Sequence, residues 1–507
     1  MKKLVLAIVT GAAVVAAALI PSGPPVVAAA PGFGSAVSAI KQTSWQTNNS
    51  VNALAIAGNT VFAGGLFTRI RPPGKAAGQG EVVRTYVAAF NRTTGAPTTF
   101  APTLNGPVYS IATSPDGKWV VIGGDFTVAN GLKRSKIAMY STVTGRIVQA
   151  WDPVVAARVK ALAISGSTVY IGGAFGRVDG QTRNRLAAVR LLYGDLTTWN
   201  PNANNDVYAI DVSDNGTRVF VGGPFSTING KDHYSLAMVN TTTGAAYSMP
   251  AAAAIPKPTL KCTTRVKDID TLGDKVFVSN GGDGSGCYDG VLAADATTGK
   301  LFWQNTCLGA TEAIKAIGNW VYKGSHAHNC SSSGAFGDGT GTHYLLVESG
   351  INGKLGPWYP NTDANPNSTT KVGPLAMAGT NTDLWVGGDF LHVNNAVQQG
   401  LARFTNTPGG AYPAKPKAPT LTSTTANQVR VAFNDVYDVD NLTLTYNVFR
   451  GSTNVGSYKY VSYYWEKRKL YSMVDTGVKS GQTVTYHIEV HDGRNIVKGP
   501  SVSIKVK

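Results

Sequence analysis

An all-β fold is what this sequence predicts, and three observations carry the prediction. Short runs rich in Val, Ile, Tyr and Phe alternate with clusters of Gly, Asn and Ser, and beyond the first thirty residues no stretch keeps a helical period. Glycine makes up 58 of 507 residues beside 43% hydrophobic and 9% aromatic residues, a composition that suits a turn-rich chain with substantial cores. The stretch from Val169 to Phe175 (VYIGGAF) returns almost unchanged at Val61 to Phe67, Val120 to Phe126, Val219 to Phe225 and Leu384 to Phe390. Degraded copies at Lys275 to Asn280 and Trp320 to Ser325 bring the total to seven. A period of about fifty residues is the mark of a repeat architecture.

Each repeat contains more than its glycine pair. In the third, Val159 to Ile164 precedes the turn Gly166-Ser167 and the signature strand. Leu186 to Val189, the turn Tyr193-Gly194 and a strand ending in Trp199-Asn200-Pro201 follow. Four strands per unit is the plan of a propeller blade, so the repeats predict a seven-bladed β-propeller over residues 38–405. Glycine inside a strand permits close backbone approach. A phosphate-cradling role is the weaker reading of the pair, because no helix follows it.

The chain begins with Lys2 and Lys3, an apolar run from Leu4 to Ile20, Pro21 and small residues at Ala28 to Ala30, the plan of a secretory signal peptide, here taken as residues 1–29. An uncleaved anchor is the alternative; no second transmembrane stretch follows. Net charge is +16, or +14 without Lys2 and Lys3, which suits a secreted protein that meets anionic surfaces or polymers. Nucleic acid is excluded as a partner by the compartment and by the absence of a basic run or recognisable module.

The seventh repeat lacks its Thr-Gly turn and Trp strand, while Ile40 to Trp45 precedes Val51 much as the strand ending in Trp199 precedes Val207. The N-terminal segment is therefore expected to supply the outer strand of the last blade and so protect the sheet edges. In an up-and-down blade, the second-to-third-strand connections and the connections between blades share one face. The long insertions fall there: Thr68 to Arg84, Ala245 to Arg265 and Ser325 to Thr342. In repeat proteins such a face is often the binding face.

Four cysteines allow three pairings. Cys262 and Cys307 both stand in the connection before a first strand, and Cys287 and Cys330 both follow a second strand, so equivalence between repeats selects Cys262 with Cys287 and Cys307 with Cys330. An even count in an exported chain fits structural disulfides.

After Phe404 the repeat stops. A Pro/Gly-rich linker over 406–417 leads to a sandwich-sized segment, 418–507, with strand runs at Val429 to Phe433, Leu442 to Phe449, Thr483 to Val490 and Ser501 to Val506. Together the seven V-Y-x-G-G-x-F copies resemble secreted bacterial seven-bladed propellers. The tail, with Asp438-Val439-Asp440, Leu442 to Val448 and Tyr486 to Asp492, looks like a fibronectin type III domain, an immunoglobulin-like sandwich. Phe433 stands where such domains usually carry Trp. The resemblance implies fold and says little about function, since both folds host many activities.

Chemistry-bearing clusters are few. Ala293 to Trp303 resembles the tryptophan-docking motif of quinone-dependent dehydrogenase propellers, but its full form occurs once, and Trp303 is more simply a packing residue; no cofactor is expected. His326 and His328 sit on one side of an extended segment and could supply two metal ligands, short of a closed site. No G-x-S-x-G or other nucleophile motif is present. In the tail, Tyr463, Trp465, Lys467 and Arg468 belong to an aromatic and basic cluster suited to stacking on sugars, although alternation requires some of these rings to cover the sandwich core. The expectation is a secreted, monomeric, non-catalytic binding or adhesion protein for a cell-wall or other extracellular polymer, carbohydrate or anionic, or for a surface protein. Its candidate contacts are His326, His328, Tyr463, Trp465, Lys467 and Arg468. The alternative is an extracellular carbohydrate-active hydrolase or lyase, or a quinone- or metal-dependent oxidoreductase.

Overall fold

A computed structural model describes residues 37–284, 287–367, 371–406 and 410–507, all within one compact unit. The signal-peptide expectation lies outside the described residues. Among those residues the fold is nearly all β, with two short 3-10 helices at Pro250–Ala254 and Ser331–Ser333, and no helix is long and apolar enough to cross a membrane.

Seven antiparallel sheets follow one another along the chain, each built on the hairpin that the repeat encodes. Their first two strands are Val51–Ala57 with Thr60–Gly65, Val108–Thr113 with Trp119–Gly124, and Val159–Ser165 with Thr168–Gly173. Then come Ala209–Val212 with Arg218–Gly222, Cys262–Leu272 with Lys275–Gly284, Thr311–Ile317 with Trp320–Ala327, and Gly373–Thr380 with Asp383–Asp389. The first strand of each sheet lies against that of the next, and the seventh lies against the first.

The glycine pair explains this packing. A Cβ on the first glycine would strike a side chain of the next sheet: on Gly172 it would stand 2.6 Å from Val207 Cγ1, and on Gly387 2.5 Å from Val51 Cγ1. A Cβ on the second glycine would collide with backbone, as at Gly65, 2.0 Å from Ser50 O. The Phe that ends each signature is buried at Phe67, Phe126, Phe175, Phe225 and Phe390. Tryptophans bind neighbouring sheets together: Trp151 Nε1 donates to Arg190 O at 3.2 Å and Trp199 Nε1 to Asn240 O at 2.8 Å.

Lys41–Gln42 pairs with Phe404 and Arg403, so the N-terminal segment forms the outer strand of the seventh sheet. The fourth strand is weaker than the repeat suggests. It is complete at Leu301–Thr306 and short at Ala246–Tyr247, whereas in the first, second, third and sixth sheets it is a single bridge, such as Val189 to Leu196. In the second, third and sixth sheets the chain then turns away to bring Trp151, Trp199 or Trp358 into the core.

Two further sheets follow residue 418. One contains Thr420–Thr422, Val429–Asn434 and Leu470–Asp475; the other contains Thr443–Arg450, Thr453–Val461, Thr483–His491, Ile496–Lys498 and Val502–Lys505. Alternating residues of both enclose one core that includes Val431, Phe433, Tyr446, Tyr486 and Ile488.

Candidate functional site

A β-bulge near the start of the first strand breaks the register in six of the seven sheets, between Val51 and Ala53, Val108 and Ser110, Val159 and Ala161, Val266 and Asp268, Thr311 and Ala313, and Pro374 and Ala376. Bulges re-aim side chains at sheet rims. Here the residue inside the bulge is half-buried and follows a buried residue in every case. With Tyr208 in the equivalent place of the fourth sheet, these residues are Asn52, Tyr109, Lys160, Tyr208, Lys267, Glu312 and Leu375. Joined by Arg158, they line one cavity of about 340 Å³. It opens on the face that carries the long insertions.

The charges around this mouth are matched. Arg158 binds Asp125 at 2.7 Å and lies 4.9 Å from the centre of the Tyr109 ring; Asp125 also meets Lys136 at 2.9 Å. Lys160 binds Asp206 at 2.8 Å and lies 4.4 Å from the centre of the Tyr208 ring. Lys267 spans both oxygens of Glu312, at 2.8 and 2.9 Å. Burial pushes the Asp125 carboxyl up, but its hydrogen bonds from Lys136 and Arg158 outweigh this and hold it below the usual carboxylate range.

Below the mouth the space narrows to about 170 Å³, where Leu54, Ile111, Leu162, Ile210 and Met377 join the mouth side chains, and it widens again into a cavity of about 360 Å³ holding Asp211, Asp268, Asp270 and Lys315. These carboxylates stitch neighbouring first strands together. Asp211 accepts from the Thr271 amide at 2.7 Å, Asp268 from Ile314 at 2.9 Å, and Asp270 from Ala316 and Lys315 Nζ, both at 2.6 Å. Burial first, and then neighbouring carboxylates, push Asp211 up to about 6; burial chiefly raises Asp268 to about 7. Their bonds satisfy strand amides that have no sheet partner on the cavity side, a structural task.

Cys262 is bonded to Cys287 and Cys307 to Cys330, the pairs that the repeat register selects. His326 is half-buried in the sixth sheet beside Glu312 and Asp289, and burial lowers its pKa. His328 is exposed, with Nδ1 3.1 Å from Asp338 Oδ1. Among the described residues, no three His, Cys, Asp or Glu side chains gather as a metal site.

The aromatic cluster of the tail lies elsewhere and is largely occupied by packing. Tyr464 stacks on Tyr359 at 3.8 Å and Trp465 meets Phe336 at 6.3 Å, which docks the loop on the disulfide-tied insertion of the sixth sheet. Arg468 braces its own loop through Ser462 Oγ at 2.7 Å and the Tyr463 carbonyl at 2.5 Å. Tyr463 stacks on Trp465 at 4.5 Å, and Lys467 is exposed. Sequence reasoning missed the mouth residues, since their types differ from sheet to sheet; the signal was their constant position one residue after the buried Val, Thr or Pro of each first strand.

No protein-family model matches the chain, and no curated protein matches it.

Proposed function

We propose that this is an exported, non-catalytic polymer-binding protein. In this reading residues 38–405 form a seven-bladed β-propeller, 406–417 a linker and 418–507 a fibronectin type III-like sandwich. The propeller binds an extracellular or cell-surface polymer, carbohydrate in the first place, at the mouth of its central channel. One observation carries the reading: every sheet contributes a side chain to one cavity on the insertion-rich face, and two of these are tyrosines whose rings suit sugar stacking. Net charge of +16 favours approach to anionic surfaces. The sandwich is docked through Tyr464 and Trp465, with Tyr463 and Lys467 left at the edge of that contact.

An enzyme reading is less well supported, because each mouth carboxylate is already held by a cation and Asp125 is kept below the usual carboxylate range, away from the protonated form a general acid needs. The test is a glycan array probed with the full-length secreted protein, run beside a polysaccharide hydrolysis and oxidation screen. The expected result is glycan binding without turnover. Turnover of a bound glycan, or no binding to any arrayed polymer, would overturn the proposal.

A further inference from the structure

Resting on that polymer-binding reading, we infer that the mouth takes the uncharged terminal unit of a glycan, end-on, rather than the middle of a chain or an acidic sugar. The cavity, about 340 Å³, is at the small end of the range of roughly 300–1,000 Å³ for small-molecule sites, room for a mono- or disaccharide unit. Its walls come from all seven sheets. Beneath it, between Leu54, Leu162 and Met377, the space narrows to about 170 Å³, half the volume of the mouth, so the unit seated at the mouth ends there rather than running on through the ring of first strands.

The charges decide the chemistry of the unit. Arg158, Lys160 and Lys267 each already face a carboxylate, at 2.7, 2.8 and 2.8 Å. An anionic sugar would have to compete with Asp125, Asp206 or Glu312 for its cation, and Glu312, held by Lys267 alone among the described ion pairs, would be left unpaired in a half-buried site. A hydroxyl needs no displacement: it donates to the carboxylate and accepts from the ammonium or guanidinium of the same pair. Adjacent hydroxyls on a sugar ring match such donor-acceptor couples. The cations packed against Tyr109 and Tyr208 fix the rings that line the walls. Net positive charge then serves approach, and the mouth serves selection.

The test uses the full-length secreted protein and calorimetry with cello-, chito- and laminari-oligosaccharides from disaccharide to octasaccharide, with polygalacturonate and hyaluronan as anionic probes. For at least one neutral series, affinity per chain should stay within about twofold from trisaccharide upward and change by less than about twofold when salt is raised to screen surface charge. Tyr208→Ala should weaken binding roughly tenfold through lost stacking. Glu312→Gln, which keeps the shape, should weaken it while the far-ultraviolet spectrum of the folded protein stays unchanged. Affinity that climbs in proportion to chain length, or tighter binding of the anionic probes than of any neutral series, would overturn end-on recognition and leave the polymer-binding reading standing. An absence of binding to every probe would sink that reading itself.

Discussion

Removing one disulfide at a time, as Cys262→Ser/Cys287→Ser or Cys307→Ser/Cys330→Ser, should open one loop pair and leave the other sheets intact. The reason lies in how the other sheets tie the same two loops. In the second sheet Asn130 N donates to Thr103 O at 2.8 Å while Asn130 Oδ1 accepts from Thr103 N at 2.9 Å. Asp179 with Val154, Asn229 with Asn202 and Asn394 with Asn361 repeat this reciprocal pair. Every one joins the connection entering a sheet to the hairpin tip after its second strand. The two disulfides join those same places in the fifth and sixth sheets, which have no such hairpin among the described residues. Two hydrogen bonds contribute about 2 kcal/mol. With separations of 25 and 23 residues, loop-closure entropy gives each disulfide about 3.5 kcal/mol. Hydrogen exchange read by mass spectrometry should therefore show faster exchange near Cys287 in the first variant and over 328–342 in the second, with unchanged protection in the first three sheets. Exchange that rises equally in all sheets, or non-reducing peptide maps that link Cys262 to Cys307 or Cys330, would refute the reasoning.

Two other perturbations have signs fixed by the structure. Lys323 and Glu348 form a fully buried ion pair in the sixth sheet, so Lys323→Met alone should cost about 3–5 kcal/mol in denaturant unfolding, whereas Lys323→Met/Glu348→Leu should recover most of that loss; a single variant costing under about 1 kcal/mol would show that the pair is not sealed from water. Burial and the neighbouring Asp440 push Asp438 up to about 8, so the native state binds its proton more tightly than the unfolded chain does. Its stabilising contribution is complete below the ordinary carboxylate range and is lost as pH rises through 8. Thermal melts should therefore fall from pH 6 to pH 9 by on the order of 1 kcal/mol or more, and Asp438→Asn should flatten that slope. An equal slope in the variant would assign the effect to other groups.

What the sequence made legible was whatever the repeat enforces. Gly172 and its equivalents could be read because a Cβ there meets the next sheet in every copy. The N-terminal outer strand could be read because Trp45 stands before Val51 as Trp199 stands before Val207. The mouth could not be read by residue type, since Lys160, Tyr208 and Glu312 share only a register position. The Asn-Gly hairpins carry a local signal of their own. Asn130-Gly131 has φ of 49° and 76° and Asn229-Gly230 has φ of 51° and 74°, the two positive values that a tight primed turn requires and that Asn-Gly supplies. In the tail, alternation separates Tyr458 and Tyr460, which cover the sandwich core, from their neighbours, but nothing local marks Tyr464 as the ring that stacks on Tyr359.

The exchange of hairpins for disulfides in the fifth and sixth sheets follows from what the sixth sheet must hold. A hairpin there would fill the space over the second-to-third-strand connection, which instead carries Phe336 and the start of the strand bearing His343. These residues pack with the Cys307–Cys330 bridge against Tyr464 and Trp465. A second contact holds the same two parts together. Asp440 accepts hydrogen bonds from Ser38 Oγ at 2.8 Å and from the Ala39 and Ala411 amides at 3.2 and 2.9 Å, beside the strand at Lys41–Gln42 that completes the seventh sheet. The tail thus grips the sixth sheet and the N-terminal segment at once. A covalent bridge ties the loop ends without occupying the docking surface, which a hydrogen-bonded hairpin cannot do.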